Sequence, residues 1–226
     1  FRSCSLWAMG LLTVGTPLSW EDITKEMCDY VRKHGAIQYL HQYKLQQQRE
    51  AKGSRHLKWG EEIEYTILKA DERAKRTRMS LRAPEILETL HQAYPEGEVK
   101  STMMAWHPEY ANWMLEGTPG QPYGNMIIDL LAVECNMRLR RRTALDYLKE
   151  GEFLLSLTAC PLIGSEDSLD NPQQFQVGGP AAESLFIPDE VMNPHPRFPT
   201  LTANIRKRRG EKVDMRVPLL MDTHTD

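Results

Sequence analysis

The sequence predicts an α+β protein with antiparallel strand pairing. Residues 57–81 alternate between apolar and polar side chains on either side of Asp71–Ala74, the pattern of a hairpin. Other stretches repeat their apolar residues at helical spacing instead. The two kinds of segment are mixed along the chain, without an internal repeat or low-complexity tract.

Composition narrows the function classes. The chain has 226 residues, with 28 Lys and Arg against 31 Asp and Glu, a net charge of −3. That balance excludes a polypeptide that coats nucleic acid by bulk charge. Hydrophobic residues make up 41%, enough to fill a core, and five Trp with eight Tyr argue against disorder. No apolar run approaches the ~18–20 residues of a membrane span. Cys4, Cys28, Cys135 and Cys160 form no CxxC pair. Neither a disulfide framework nor a zinc site is expected, and a reducing, cytoplasmic setting is. Arg2 followed by Leu6–Val14 has the charged-then-apolar form of a short signal segment. Met9-Gly10-Leu11-Leu12 reads better as a natural start, which leaves residues 1–8 as an upstream leader.

The elements follow in order. Ser19 with Asp22 has the spacing of a capping box. Trp20, Ile23, Met27 and Val31 then mark a helix expected to stop at His34-Gly35, and 36–48 a second one. A charged link, 49–55, leads to the hairpin. Pro84 opens a helix carrying Ile86, Leu87 and Leu90. A polar loop, 94–101, precedes an extended, aromatic-rich stretch from Met103 to Glu116. Residues 117–124, Gly-Thr-Pro-Gly-Gln-Pro-Tyr-Gly, are expected to form a rigid loop. Asn125 then caps a long helix from about Ile127 to Glu150. A buried strand is expected at 153–159, a polar excursion at 164–182, a helix at 200–209 and a strand at 213–220.

The chemistry concentrates in acidic pairs. Within Lys58-Trp59-Gly60-Glu61-Glu62-Ile63-Glu64-Tyr65, alternate strand residues share a face. Ile63, Tyr65 and Ile67 call for a core, so Glu62 and Glu64 lie together on the opposite face. A wet sheet face explains such a pair without a ligand; so does a shared cation. Glu109 and Glu116 stand among Trp106, Tyr110 and Trp113, company in which glutamate is uncommon without a partner. Hard divalent cations suit clustered carboxylates, magnesium above all where phosphate completes its shell. The separation of seven between Glu109 and Glu116 is odd, so one unbroken strand would point them to opposite faces. A common cation therefore demands a parity-changing turn, expected at Ala111-Asn112.

These residues carry a resemblance. Residues 58–65, Pro108–Tyr110 and Leu115–Gly124 are similar to the catalytic-subunit family of eukaryotic glutamate–cysteine ligases. So are Ser184-Leu185-Phe186, Pro188-Asp189-Glu190, His195-Pro196-Arg197-Phe198, Thr200-Leu201-Thr202, Asn204-Ile205-Arg206 and 208–213. The similarity runs in order from about Met9 to Asp222 and corresponds to the amino-terminal third of the family's length. It implies that 9–226 is the first part of a single catalytic domain. The implied fold resembles glutamine synthetase: a curved antiparallel sheet with helices outside it, incomplete in this chain. The implied reaction joins the γ-carboxylate of L-glutamate to L-cysteine through a γ-glutamyl phosphate, the first step of glutathione synthesis. ATP is the co-substrate, and two to three Mg²⁺ ions are implied at Glu62, Glu64, Glu109 and Glu116. Cysteine-pocket and further nucleotide-contacting residues of the family fall beyond Asp226. A smaller modifier subunit is a partner in the family's animal members.

Two basic runs remain, Arg138–Arg142 and Arg206–Lys212. They read as solvated faces or ion-pair donors, or as phosphate neutralisers. A rival reading makes the chain a non-catalytic module that binds an acidic protein or nucleic acid through them. Four glutamates near the ligand would work against a phosphate-backbone binder. GxxxxGK[ST], HExxH and GxSxG are all absent.

Overall fold

A computed structural model of the chain describes residues 16–51, 57–95, 103–160, 162–170, 177–218 and 223–224. The leader expected at 1–8 lies outside them. Trp20–Asp22 form a single 3-10 turn, and Ser19 Oγ donates to the Asp22 carboxylate (2.8 Å) without capping the turn's backbone. The cap of helix α1 (Lys25–Ala51) is Thr24, whose Oγ1 accepts the Met27 N–H at 3.2 Å. The stop expected at His34-Gly35 does not occur, and the separate helix at 36–48 is the second half of α1. A glycine in a helix interior costs only about 1 kcal/mol relative to alanine. Gly35 is followed by good helix formers, and no left-handed turn or proline enforces an end there.

Strand β1 (Ile63–Asp71) organises the sheet. It pairs antiparallel with β2 (Arg76–Met79), β4 (Met114–Thr118) and β5 (Glu152–Leu155), and β4 pairs antiparallel with β3 (Ala105–Pro108). The order is β2-β1-β4-β3, with β5 joined to β1, and the sheet does not close. The expected hairpin forms, with its turn at 72–75 rather than 71–74 and its second strand shorter than 75–81; Asp71 Oδ1 holds the turn by accepting the Ala74 N–H at 2.9 Å. The strand expected from Leu57 begins only at Ile63. Ahead of it, Trp59 makes an isolated bridge to Tyr123.

Alternation along β1 assigns the faces. Tyr65 and Ile67 join Trp106, Leu115 and Leu154 in the main core, against Ile86, Leu87 and Leu90 of α2 (Ala83–Ala93) and Ala144 of α3 (Ile127–Leu145). On the other face Leu68 packs with Met79, Ala111, Trp113, Leu169 and Val191. This second cluster covers only the carboxyl-terminal half of β1. The amino-terminal half of the same face is where the acidic residues stand.

Several expected boundaries shift for local reasons. The stretch 103–116 is two strands, not one. β4 continues through Gly117 and Thr118, so the irregular loop starts at Pro119. Gly117 is the residue this strand position accepts, because a Cβ there would stand 3.1 Å from Cζ3 of Trp106, its partner on β3. Asn125 is not the cap of α3: Met126 holds that position, its N–H donated to Asp129 Oδ2 at 2.9 Å. α3 ends at Leu145, and turns lead to Gly151 at φ 79°. The buried strand is 152–155, shorter than 153–159. The polar excursion at 164–182 carries a 3-10 turn, Glu166–Ser168, and buries Leu169, which bridges to Met79; 171–176 lie outside the described residues. Helix α4 (Arg197–Arg209) begins three residues early and closes on Gly210 at φ 76°. The strand expected at 213–220 is not formed over 213–218, where no strand pairs with it among the described residues and Met215 and Val217 are exposed. Residues 219–220 lie outside them. Among the described residues, Cys28, Cys135 and Cys160 are free thiols. Among the described residues no helix is long and apolar enough to cross a membrane.

Candidate functional site

Glu64 and Glu116 are cross-strand partners in the β1–β4 ladder. The Ile67 N–H donates to the Trp113 carbonyl at 2.8 Å, which sets the parity of that ladder. Glu64 and Glu116 thus fall in a pair without mutual backbone bonds, the kind in which side chains come closest. β4 also pairs His107 with Glu116, so a row of His107, Glu116 and Glu64 crosses the sheet. His107 Nε2 lies 3.3 Å from Thr118 Oγ1. Glu62 precedes β1 with the parity of Glu64.

Glu109 follows β3, and the expected turn separates it from Glu116. β3 ends at Pro108, Ala111 bridges to Met192, and Met114 N–H donates to the Ala111 carbonyl at 2.9 Å. Asn112 anchors this turn by donating from Nδ2 to the carbonyls of Glu190 (2.7 Å) and Met192 (3.1 Å). Glu109 Oε2 accepts the N–H of Tyr110 at 3.0 Å.

Electrostatics tie the four carboxylates together. The Glu116 carboxyl is pushed up to about 7, by burial first and then by Glu62, Glu109 and Glu64, with a hydrogen bond to Glu109 adding to the shift. Glu64 is raised by burial, then by Glu109 and Glu62. Every influence on both groups acts in the same direction, the behaviour of a cluster short of positive charge. The four carboxylates offer hard oxygen donors, the chemistry that suits magnesium. Among the described residues, no three His, Cys, Asp or Glu stand ready to hold an ion as they are. The carboxylates share a face and a field rather than a closed cage.

The arginine runs are largely spent elsewhere. Arg140 is wholly buried, paired with Glu61, and donates to the Gly117 carbonyl at 3.0 Å. Arg141 donates to the Leu154 carbonyl at 2.7 Å, and Arg138 pairs with Glu134 at 2.7 Å. Arg206 binds the Ala181 and Ala182 carbonyls and Glu183, while Lys207 pairs with Glu21. This favours the ion-pair reading and gives no support to a module that offers these residues to nucleic acid. The sequence signal for Arg140 was its place on the helical stripe of Met137, Thr143, Ala144 and Tyr147, the side of α3 turned to the sheet. Nothing in the sequence alone placed His107 beside Glu116, because cross-strand register is a long-range property.

Comparison with known proteins matches residues 9–226 to the family model described as glutamate-cysteine ligase. The chain is 45% identical to the glutamate–cysteine ligase catalytic subunit of Homo sapiens, over 96% of this chain and 33% of the relative. It is 43% identical to that of Mus musculus and 41% to the glutamate–cysteine ligase of Dictyostelium discoideum, with the same coverage. The chain thus spans about a third of the length of the curated relatives it matches.

Proposed function

Because this chain belongs to the glutamate–cysteine ligase family, we propose that its acidic sheet face is one wall of an ATP- and magnesium-dependent ligase site. The reaction is the joining of the glutamate γ-carboxylate to cysteine, within a glutamine-synthetase-like fold that this sheet begins. The observation that carries the reading is the Glu64–Glu116 pair, two like charges opposed at close range with Glu62 and Glu109 acting on both.

A carboxylate is a poor electrophile, so an amine does not displace its oxygen directly. Phosphoryl transfer from ATP to the γ-carboxylate makes an acyl phosphate; the cysteine nitrogen then attacks the acyl carbon and phosphate leaves. The first step sets one anion against another, and positioning with charge neutralisation supplies most of the catalysis. Glu62, Glu64, Glu109 and Glu116 would hold the magnesium, which when bound neutralises phosphate charge and aligns the transferring group. The rest of the wall is built by this chain: β1 and β4 fix Glu64 and Glu116 on a rigid ladder, and the Asn112 turn returns Glu109 to the same side. The loop 119–124 follows β4, two residues past Glu116, and screens the acyl phosphate from water. The reaction takes place in a cytoplasmic enzyme, with a modifier subunit as partner.

A chimera tests this. The chain replaces the matching third of the human catalytic subunit, and γ-glutamylcysteine formation is followed at varied Mg²⁺. ATP- and Mg²⁺-dependent product that Glu64→Gln abolishes is the expected result. Normal turnover by Glu64→Gln at limiting Mg²⁺ would remove Glu64 from the ligand set.

A further inference from the structure

Behind the acidic face, on the side of the sheet covered by α3, lies an ion pair that the ligase chemistry leaves without a role. The Arg140 side chain is 0% exposed. One of its terminal nitrogens donates to the Gly117 carbonyl at 3.0 Å and the other binds the Glu61 carboxylate. Gly117 is covalently next to Glu116, and Glu61 is next to Glu62. A single planar guanidinium therefore grips the neighbours of one glutamate from β4 and one from the lead-in to β1.

The grip falls where the ladder runs out. Ile63 with Gly117 is the last pair of the β1–β4 register. Beyond it Glu62 has no strand partner, and the lead-in is held by side chains and one bridge. Trp59 and Tyr123 exchange backbone hydrogen bonds of 3.2 and 2.7 Å, Trp59 Nε1 donates to the Gly124 carbonyl at 2.8 Å, and Tyr123 Oη donates to Glu61 Oε1 at 3.4 Å. Stability alone does not call for a buried charge pair here, since apolar residues of equal volume pack as well or better. This pair even leaves Arg140 Nε and Glu61 Oε2 buried without partners. What apolar residues would not supply is a rigid two-pronged donor with fixed geometry.

We propose that Arg140 and Glu61 are positioning residues, which from the reverse side of the sheet hold Glu62 and Glu116 at the mutual spacing a shared divalent cation requires. This rests on the magnesium reading above. Outer partners of this kind typically change metal affinity by about tenfold or more when removed.

The test is Mn²⁺ binding by the purified chain, read from loss of the free-ion electron paramagnetic resonance signal, alongside a urea unfolding midpoint for each variant. Wild type is expected to bind and Glu64→Gln to bind more weakly. Arg140→Met strands Glu61 in the core, so its lost stability is uninformative by itself. The double variant Glu61→Gln/Arg140→Met removes both charges and is expected to regain the midpoint while its Mn²⁺ affinity stays about tenfold or more below wild type. Recovery of midpoint and affinity together would make the pair merely structural and overturn the proposal. Where the double variant does not fold, Glu61→Gln decides, because it keeps the Gly117 bond: weaker Mn²⁺ binding at an unchanged midpoint supports the proposal, and unchanged binding overturns it. Failure of wild type to bind, or equal binding by Glu64→Gln, would instead bring down the metal reading, and the positioning role with it.

Discussion

Glu64 and Glu116 oppose each other across β1 and β4 in a pair without mutual backbone hydrogen bonds. Like charges directly opposite destabilise a sheet. In the absence of divalent ions, Glu64→Gln is therefore expected to stabilise the chain, by up to about 1 kcal/mol. Added Mg²⁺ should stabilise wild type more than the variant, because an ion that binds only the folded state shifts the equilibrium by mass action. Urea unfolding with and without Mg²⁺ measures both. A variant less stable than wild type in metal-free buffer would show that the pair does not repel.

The raised Glu116 carboxyl gives a pH signature. Its folded pKa of about 7 exceeds the ordinary 4.5, so between those values the folded state holds a proton that the unfolded state has released. Metal-free stability should fall as pH rises from about 4.5 to about 7 and level off above that, the slope following the difference in bound protons. Glu116→Gln should flatten this part of the profile. A profile that rises across the same window in wild type, with no change in the variant, would contradict the assignment.

A second buried ion pair bears on stability alone. The Glu152 side chain, 2% exposed, receives Arg82, Ser80 Oγ at 2.8 Å and the Lys149 N–H at 2.8 Å. Arg82→Met leaves that carboxylate uncompensated and should cost about 3–5 kcal/mol. Arg82→Met/Glu152→Gln should recover part of the loss. Urea midpoints of the two variants decide it, and a single variant as stable as wild type would show that the pair is dispensable.

Gly117→Ala should cost about 1–3 kcal/mol through overpacking against the Trp106 ring and should change the tryptophan emission. Unchanged emission and stability would mean that the ring yields freely.

The chain alone is expected to form no γ-glutamylcysteine, because it spans about a third of its relatives' length. A coupled ADP-release assay on the purified chain tests this, and turnover comparable to the chimera would refute it.

Local pattern disclosed the acidic face but not the ladder. Period-two alternation around Ile63, Tyr65 and Ile67 named the core side of β1, and with it the side of Glu62 and Glu64. The odd spacing of Glu109 and Glu116 called for a turn, and Ala111–Trp113 supply one. The opposition of Glu64 to Glu116 rests on pairing between segments fifty residues apart in sequence, which no local rule encodes. Arg140 was lost among its basic neighbours because charge runs usually face water, and only its position on the inner stripe of α3 sets it apart. Gly35 is the opposite case: glycine is a weak breaker, and α1 runs through it. Over 213–218 apolar alternation is present, but among the described residues no neighbouring strand pairs with it, and alternation alone does not make a sheet.

α1 has no buried side chain among its described residues, and Tyr30, Val31, Ile37, Tyr39, Leu40 and Tyr43 are exposed along it. A helix so little anchored answers to its own coil equilibrium rather than to the cooperative melting of the sheet. Its amide protons should exchange with deuterium far sooner than those of β1. On warming, circular dichroism should register loss of helix before the fluorescence of Trp106 and Trp113 reports that the interior has opened. A single thermal midpoint would then blend two events, and only the later one would bear on the acidic wall.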